Sequence, residues 1–286
     1  VVVYWGQDSV YQVDQTLEKD LDAYCTSVDA DIFIISSVNQ FGAGQETTIN
    51  LANHCGSTTS CPDIGRQIVN CQNAGKKVFI SLGGEDRKKY SLSSSEADSF
   101  ATELWNKFGG GSASDVVRPF GDAVVDGFDL DIEGGDNSGY PALVQNLKSL
   151  FSQDSSKSYA ISAAPQCPYP DHKIGNVLSS PGVDYAIVQF YNNPSCELTT
   201  TGFNWNDWAG LAEENNFKIF IGLLGDGKST DNGYTPIDEV KAALQDVVSK
   251  KPEPFGGFSV WDVGRGVANI DNGKSYIQEL SDLISN

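Results

Sequence analysis

Asp129, Asp131 and Glu133 stand at every second position of the stretch DGFDLDIE, residues 126–133, with Phe128, Leu130 and Ile132 between them. Strict alternation is the period of a β-strand, whose successive side chains point to opposite faces. One face is apolar and the other carries three carboxylates in a row. Crowded like charges disfavour ionisation, so a carboxyl in such a row can hold a proton near neutral pH and deliver it as a general acid. Glu133, outermost on the strand, is the natural acid. Asp131 follows about 6–7 Å away between Cα atoms on the same face, and Asp129 lies deeper. An EF-hand loop is excluded, because Phe, Leu and Ile stand where it needs turn-formers and a glycine. A Mg²⁺ or Mn²⁺ barrel site and a structural ladder of buried acids are the other uses of such a row.

The elements that must position this strand alternate along the whole chain. Strand-like runs cover Val2–Trp5, Ile32–Ser37, Lys77–Leu82, Ala123–Glu133, Tyr159–Ala163, Tyr185–Phe190, Ile219–Leu223 and Gly257–Trp261. Helical patterns lie between them at Gln15–Tyr24, Ile64–Ala74, Ser95–Lys107, Tyr140–Phe151, Ile174–Leu178, Trp205–Asn215, Ile237–Val248 and Tyr276–Ile284. Ser93–Ser95 supplies N-caps before Glu96, Pro236 suits a first helical turn, and Gly75 suits a C-cap. Eight βα units in 286 residues predict an α/β fold, a single (β/α)₈ TIM barrel with one catalytic domain over residues 1–286. An open doubly wound sheet is the runner-up, weakened by the lack of a Gly-x-Gly-x-x-Gly after the first strand.

Barrel active sites form at the C-terminal ends of the strands. Those ends carry Tyr4, Trp5 and Gln7 on the first strand, Glu133 on the fourth, Gln189 and Tyr191 on the sixth, and Trp261 with Asp262 on the eighth. Inward carboxylates meeting aromatics with polar tips suit a sugar, whose rings stack on aromatic faces and whose hydroxyls take hydrogen bonds. Direct retaining glycoside hydrolysis needs a second carboxylate on the opposite side of the ring. Asp131 is on the same side as Glu133, so either water attacks or the substrate supplies its own nucleophile.

With 38 acidic and 19 basic residues the chain has a formal charge of −19, which repels nucleic acid and anionic membranes and tolerates a neutral substrate. No apolar run reaches the length of a membrane span. Six cysteines point to disulfides and an oxidising compartment. They allow fifteen pairings, with Cys55 and Cys61 near enough to close a small loop. Six free buried thiols are the alternative. His54 and His172 lack metal-ligand spacing, and no metal or cofactor is expected. The chain opens directly on VVVYW without Met, as expected once a signal peptide has been removed.

DGFDLDIE resembles the Asp-x-x-Asp-x-Asp-x-Glu signature of the family-18 glycoside hydrolases, and the whole chain looks like their plant-type (class III) chitinases. YWGQ (4–7), NQFGAGQ (39–45), INLANHC (49–55), KVFISLGG (77–84), RPFGDAVVDGFDLDIE (118–133), SAAPQCPYPD (162–171) and VQFYNNPSC (188–196) occur in the family's order. The resemblance implies a secreted, monomeric endo-chitinase of the extracellular space or cell wall. It would cut β-1,4 linkages between N-acetylglucosamine units of chitin or chitooligosaccharides with retention, through an oxazolinium intermediate. Glu133 would protonate the glycosidic oxygen. Asp131 would orient the acetamido group, Asp129 would share a proton with Asp131, and Tyr191 would bond the acetamido oxygen. Gln189, Asn50, Tyr4 and Gly84 would bind sugar, with Trp261 as the floor of the reacting subsite. The cysteines would pair as Cys25–Cys71, Cys55–Cys61 and Cys167–Cys196.

Some positions depart from the family pattern. Glu85-Asp86-Arg87-Lys88-Lys89 stands where small residues usually follow Gly84, on the glycone side of the cleft. Ser37 replaces a common aromatic, and Leu223-Leu224 replaces Pro-Ala. Rival readings on the same barrel are a non-catalytic chitin-binding lectin or glycosidase inhibitor, and an endo-β-N-acetylglucosaminidase acting on N-glycans. Fold alone does not separate them.

Overall fold

The computed structural model describes residues 1–285, leaving Asn286 of the expected 1–286 domain outside the described residues. Among the described residues eight parallel strands close a barrel: β1 (Val2–Trp5), β2 (Ile32–Gly42), β4 (Lys77–Gly84), β5 (Gly127–Ile132), β6 (Ala160–Ala163), β7 (Tyr185–Gln189), β8 (Lys218–Leu224) and β9 (Phe255–Trp261). Each pairs with the next, and β1 closes the ring by pairing with both β2 and β9. β3 (Gln45–Ile49) is an antiparallel partner of β2 outside the ring.

Period 2 divides the strand residues between two apolar cores. Val3 and Trp5 of β1 and Phe128, Leu130 and Ile132 of β5 pack outward against the helices. Val2, Tyr4, Ile32, Ile34, Phe79, Ala164, Ile187 and Phe220 form a second, smaller cluster inside the ring. Asp129 and Asp131, alternating with the outward residues of β5, therefore face the ring interior. Burying an Ile or Phe stabilises by roughly 1.5–3 kcal/mol, so the outward apolar positions oppose any one-residue slip that would turn the acids outward.

The expected barrel is present, and the differences are local. β2 runs on to Gly42 because Gly42, Ala43 and Gly44 take positive φ and turn the chain back into β3. β5 starts at Gly127, since the Asp126 side chain already accepts from the Val78 N–H and the Gln72 amide. Glu133 then stands one residue beyond the strand, at the root of the following loop. The expected Gln15–Tyr24 helix reduces to Leu21–Cys25, preceded by a single turn at Tyr11–Asp14. Glu18 is drawn inward between them, accepting from the N–H groups of Gly6 and Asp8 and contacting His54 Nε2 at 2.9 Å. The Ile237–Val248 pattern divides at Leu244.

A helix not read from sequence, Val263–Ala268, is N-capped by Asp262, whose carboxylate accepts from the Arg265 N–H. Its glycines conceal it in sequence, and Gly264 packs closely under Val10: a Cβ there would lie 3.0 Å from Val10 Cγ1. Three disulfides join Cys25 to Cys71, linking the Leu21–Cys25 helix to the Pro62–Asn73 helix, Cys55 to Cys61, closing a short loop, and Cys167 to Cys196, linking the loops after β6 and β7.

Candidate active site

A cleft of about 590 Å³ opens at the C-terminal ends of the strands and is lined by Tyr4, Asn50, Gly84, Asp131, Glu133, Gln189, Tyr191 and Trp261. Asp129 lies beneath it, fully buried, and three hydroxyls donate to its carboxylate: Ser162 at 2.6 Å, Ser81 at 2.7 Å and Tyr4 at 3.2 Å. Strand register makes this nest, because Ser81 of β4 and Ser162 of β6 are the direct neighbours of Asp129 on either side. Burial pushes the Asp129 carboxyl above its usual value, and the donors from Ser162, Ser81 and Tyr4 pull against that rise.

Asp131 accepts from the Gln189 amide at 3.1 Å. Burial first, then the charges of Glu133 and Asp129, hold its carboxyl well above the ordinary range. Acid crowding thus acts on Asp131, the middle member of the row. β4 and β5 approach closely here: a Cβ at Gly83 would fall 2.2 Å from the Asp131 carbonyl, so only glycine lets the strand end close over the acid. Tyr191 is buried, and burial followed by Asp131 and Glu133 raises its hydroxyl well above 10, keeping it a hydrogen-bond donor.

Glu133 is defined by different partners. Its backbone N–H donates to the Tyr90 hydroxyl at 3.0 Å, and Tyr90 donates in turn to the Gly84 carbonyl at 2.6 Å. Its carboxylate accepts from the Arg87 guanidinium at 2.9 Å. Trp261 stands at the end of β9 with its ring 5.5 Å from that of Tyr4, tilted by 59°. The Gln189 amide nitrogen, expected on the sugar, is shared between Asp131 and the Ala164 carbonyl at 2.9 Å. Asn50 lines the rim with its side-chain oxygen accepting from the Ala52 N–H. Ser37, which replaces a family aromatic, bonds the Gly83 carbonyl.

Sequence reading missed several cleft residues. Ser81 and Ser162 carry only the signal of period 2 on neighbouring strands. Arg265 is buried, donating to Asp226, Asp231 and Ser229, and it secures the loop that puts Thr230 and Asp231 on the cleft wall. Nothing local in sequence links positions more than thirty residues apart.

A closed parallel barrel with an acidic row rising into an aromatic-rimmed cleft defines a protein of the glycoside hydrolase class. The family described as "Glycosyl hydrolases family 18" matches residues 1–233, and the chain belongs to that family. β9 and Trp261 lie beyond the matched residues. "Chitinase 1" of Candida albicans is 40% identical over 290 residues, covering 100% of this chain and 58% of that protein. "Endochitinase" of Saccharomyces cerevisiae is 39% identical over 295 residues, covering 100% and 50%. The chain thus spans about half the length of the curated relatives it matches. Among solved structures, the xylanase and alpha-amylase inhibitor protein XAIP-II from Scadoxus multiflorus superimposes with a TM-score of 0.82 at 32% identity, covering 99% of this chain and 97% of that one. Backbone likeness therefore does not sort catalysts from inhibitors, and the side chains must.

Proposed function

We propose that this chain is the catalytic barrel of an endo-chitinase that cleaves β-1,4 linkages between N-acetylglucosamine units with retention and with assistance from the substrate. The observation that supports it most is the placement of Asp131 at the floor of the cleft, bonded by Gln189 and lying between Asp129 and Glu133 on one strand face. A carboxyl at the cleft floor, flanked by two other acids and on the same side as Glu133, is poorly placed to attack an anomeric carbon and well placed to bond an amide. With that side of the ring occupied by an amide-binding acid, the acetamido carbonyl oxygen is the available nucleophile. Glu133 protonates the glycosidic oxygen as the C1–O bond breaks and the acetamido oxygen bonds C1. Asp131 accepts from the acetamido N–H of the resulting oxazolinium, and Tyr191 donates to its oxygen. Glu133, now a carboxylate, takes a proton from the water that opens the ring. Asp129 and its three hydroxyls fix Asp131 from below. Trp261 and Tyr4 give the sugar an apolar wall, while Asn50, Gly84 and Gln189 border it.

Chitin or its oligomers, being neutral, suit a surface of charge −19, and the disulfides suit a secreted, monomeric protein of the extracellular space or cell wall. Among the described residues no helix is long and apolar enough to cross a membrane. The test is a time course of products from a fully N-acetylated chitooligosaccharide with anomers resolved by proton NMR. Internal cuts releasing β-anomers first support the reading. First-formed α-anomers, or equal cleavage of de-N-acetylated oligomers, overturn it. The resemblance to XAIP-II supports one rival, a non-catalytic lectin or glycosidase inhibitor; absence of any turnover would favour that reading over the chitinase. Faster release from a glycoprotein N-glycan than from the oligomer would point to the N-glycan-cleaving alternative.

A further inference from the structure

Arg87 belongs to the charged segment that departs from the family's small residues, and it reaches across the cleft rim to Glu133. Its guanidinium lies 2.9 Å from Glu133 Oε2, with the arginine side chain 55% exposed and the glutamate 13% exposed. The approach is built into the backbone. Gly134, directly after Glu133, has no Cβ, and one placed there would lie 2.5 Å from Arg87 Cβ, so the glycine makes room for the arginine stem. Tyr90 ties the ends of β4 and β5 together, bonding the Glu133 N–H and the Gly84 carbonyl. Glu85, Asp86 and Lys89 line the cleft beside it, with Lys89 paired to Asp86 at 2.8 Å.

This contact conflicts with the chemistry assigned to Glu133. A guanidinium at hydrogen-bond distance favours the ionised carboxylate, whereas a general acid must enter the reaction protonated and have an oxygen within reach of the leaving group. Oε2 cannot serve both partners. We propose that Arg87 is a substrate-displaced counter-ion: it pairs with the Glu133 carboxylate in the unliganded protein, and a sugar entering the cleft takes its place. The inference rests on Glu133 as the acid. Among the described residues, titratable groups reach the surroundings of Glu133 from several elements. Asp131 and the deeper Asp129 come from β5, Tyr191 from the end of β7 and Tyr4 from β1. Arg87, Tyr90 and the Asp86–Lys89 pair come from the loop after β4, Asp231 from the loop after β8, and Arg265 from the Val263–Ala268 helix after β9. Among the described residues Arg87 is the cation in contact with Glu133, while Arg265 is bound to Asp226 and Asp231. An exposed arginine bound on one side is also the partner most readily displaced.

The test compares wild type with Arg87→Gln and Arg87→Lys. Titration of the Glu133 carboxyl carbon by ¹³C NMR in the unliganded protein should show the midpoint rising by about one pH unit in Arg87→Gln, the low end for loss of a contacting opposite charge because the arginine is half exposed. Arg87→Lys, which keeps the charge without the fork, should fall between. The alkaline limb of kcat/KM against pH, which reports the free protein, should move up with it. The alkaline limb of kcat, which reports the complex, should stay in place. An unmoved NMR midpoint refutes the counter-ion, and limbs that move together refute its displacement. The titration reads Arg87 whether or not Glu133 is the acid, and Glu133→Gln turnover tests that assignment separately.

Discussion

Replacing Glu133 by Gln removes a proton donor while keeping the side chain's shape. General acid catalysis contributes typically 10²–10⁴-fold, about 3–5 kcal/mol of barrier, so turnover should fall to about one per cent or below. Stability should hardly change. The ion pair lost has an arginine that is 55% exposed, and such pairs contribute at most about 1 kcal/mol. The variant also relieves Asp131, for which Glu133 is the leading unfavourable charge. Melting temperature should therefore stay within a few degrees, since each kcal/mol moves a domain of this size by about 2–4 °C. The assay pairs hydrolysis of a fluorogenic N-acetylglucosamine oligomer with calorimetric binding of an unlabelled one. Retention of more than a few per cent of activity in a folded variant refutes the acid. Loss of activity together with binding and a large fall in melting temperature refutes the claim that only chemistry was removed.

Asp262 is buried behind Trp261 and accepts from the Ser9 hydroxyl; burial and then Glu18 raise its carboxyl from 3.8 to about 7. A raised acid binds a proton in the folded state that the unfolded chain releases, so it lowers stability as pH rises from about 4 to 7, by up to about 4 kcal/mol for three units. Asp262→Asn, which can still cap its helix, should flatten that decline in denaturant melts across the window; an unchanged slope counts against it. Ser162→Ala leaves a buried Asp129 oxygen without its donor and should cost about 1–3 kcal/mol in the same melts, with a further rise in the Asp129 midpoint; a neutral result would mean the nest is not needed. Replacing both Cys167 and Cys196 by Ser, 29 residues apart, should cost about 2–5 kcal/mol. Thiol titration of the denatured, unreduced wild type should find none free, and two or more would break the three-bridge arrangement.

Much of this protein was legible in local pattern. The period of 2 in DGFDLDIE placed the acids on one face and the apolar residues on the other, because a strand leaves a side chain no third direction. The alternation of apolar runs with helical segments implied a barrel, and short-range chemistry located most helices. Reading was weakest where one residue's surroundings come from distant segments. Gln15–Tyr24 carries a helical pattern, yet Glu18 is held by Gly6, Asp8 and His54. Val263–Ala268 looks like a loop until Asp262 caps it and Val10 packs on Gly264.

The sequence by itself determined which residue types sit on each face of each strand, since that follows from bond geometry along one chain. Only the tertiary structure decided which of them meet. Strand register set Ser81 and Ser162 against Asp129, desolvation and the flanking acids raised the Asp131 carboxyl, and the loop after β4 brought Arg87 onto Glu133. Electrostatic energy depends on distance and solvent exposure, and both are properties of the folded chain.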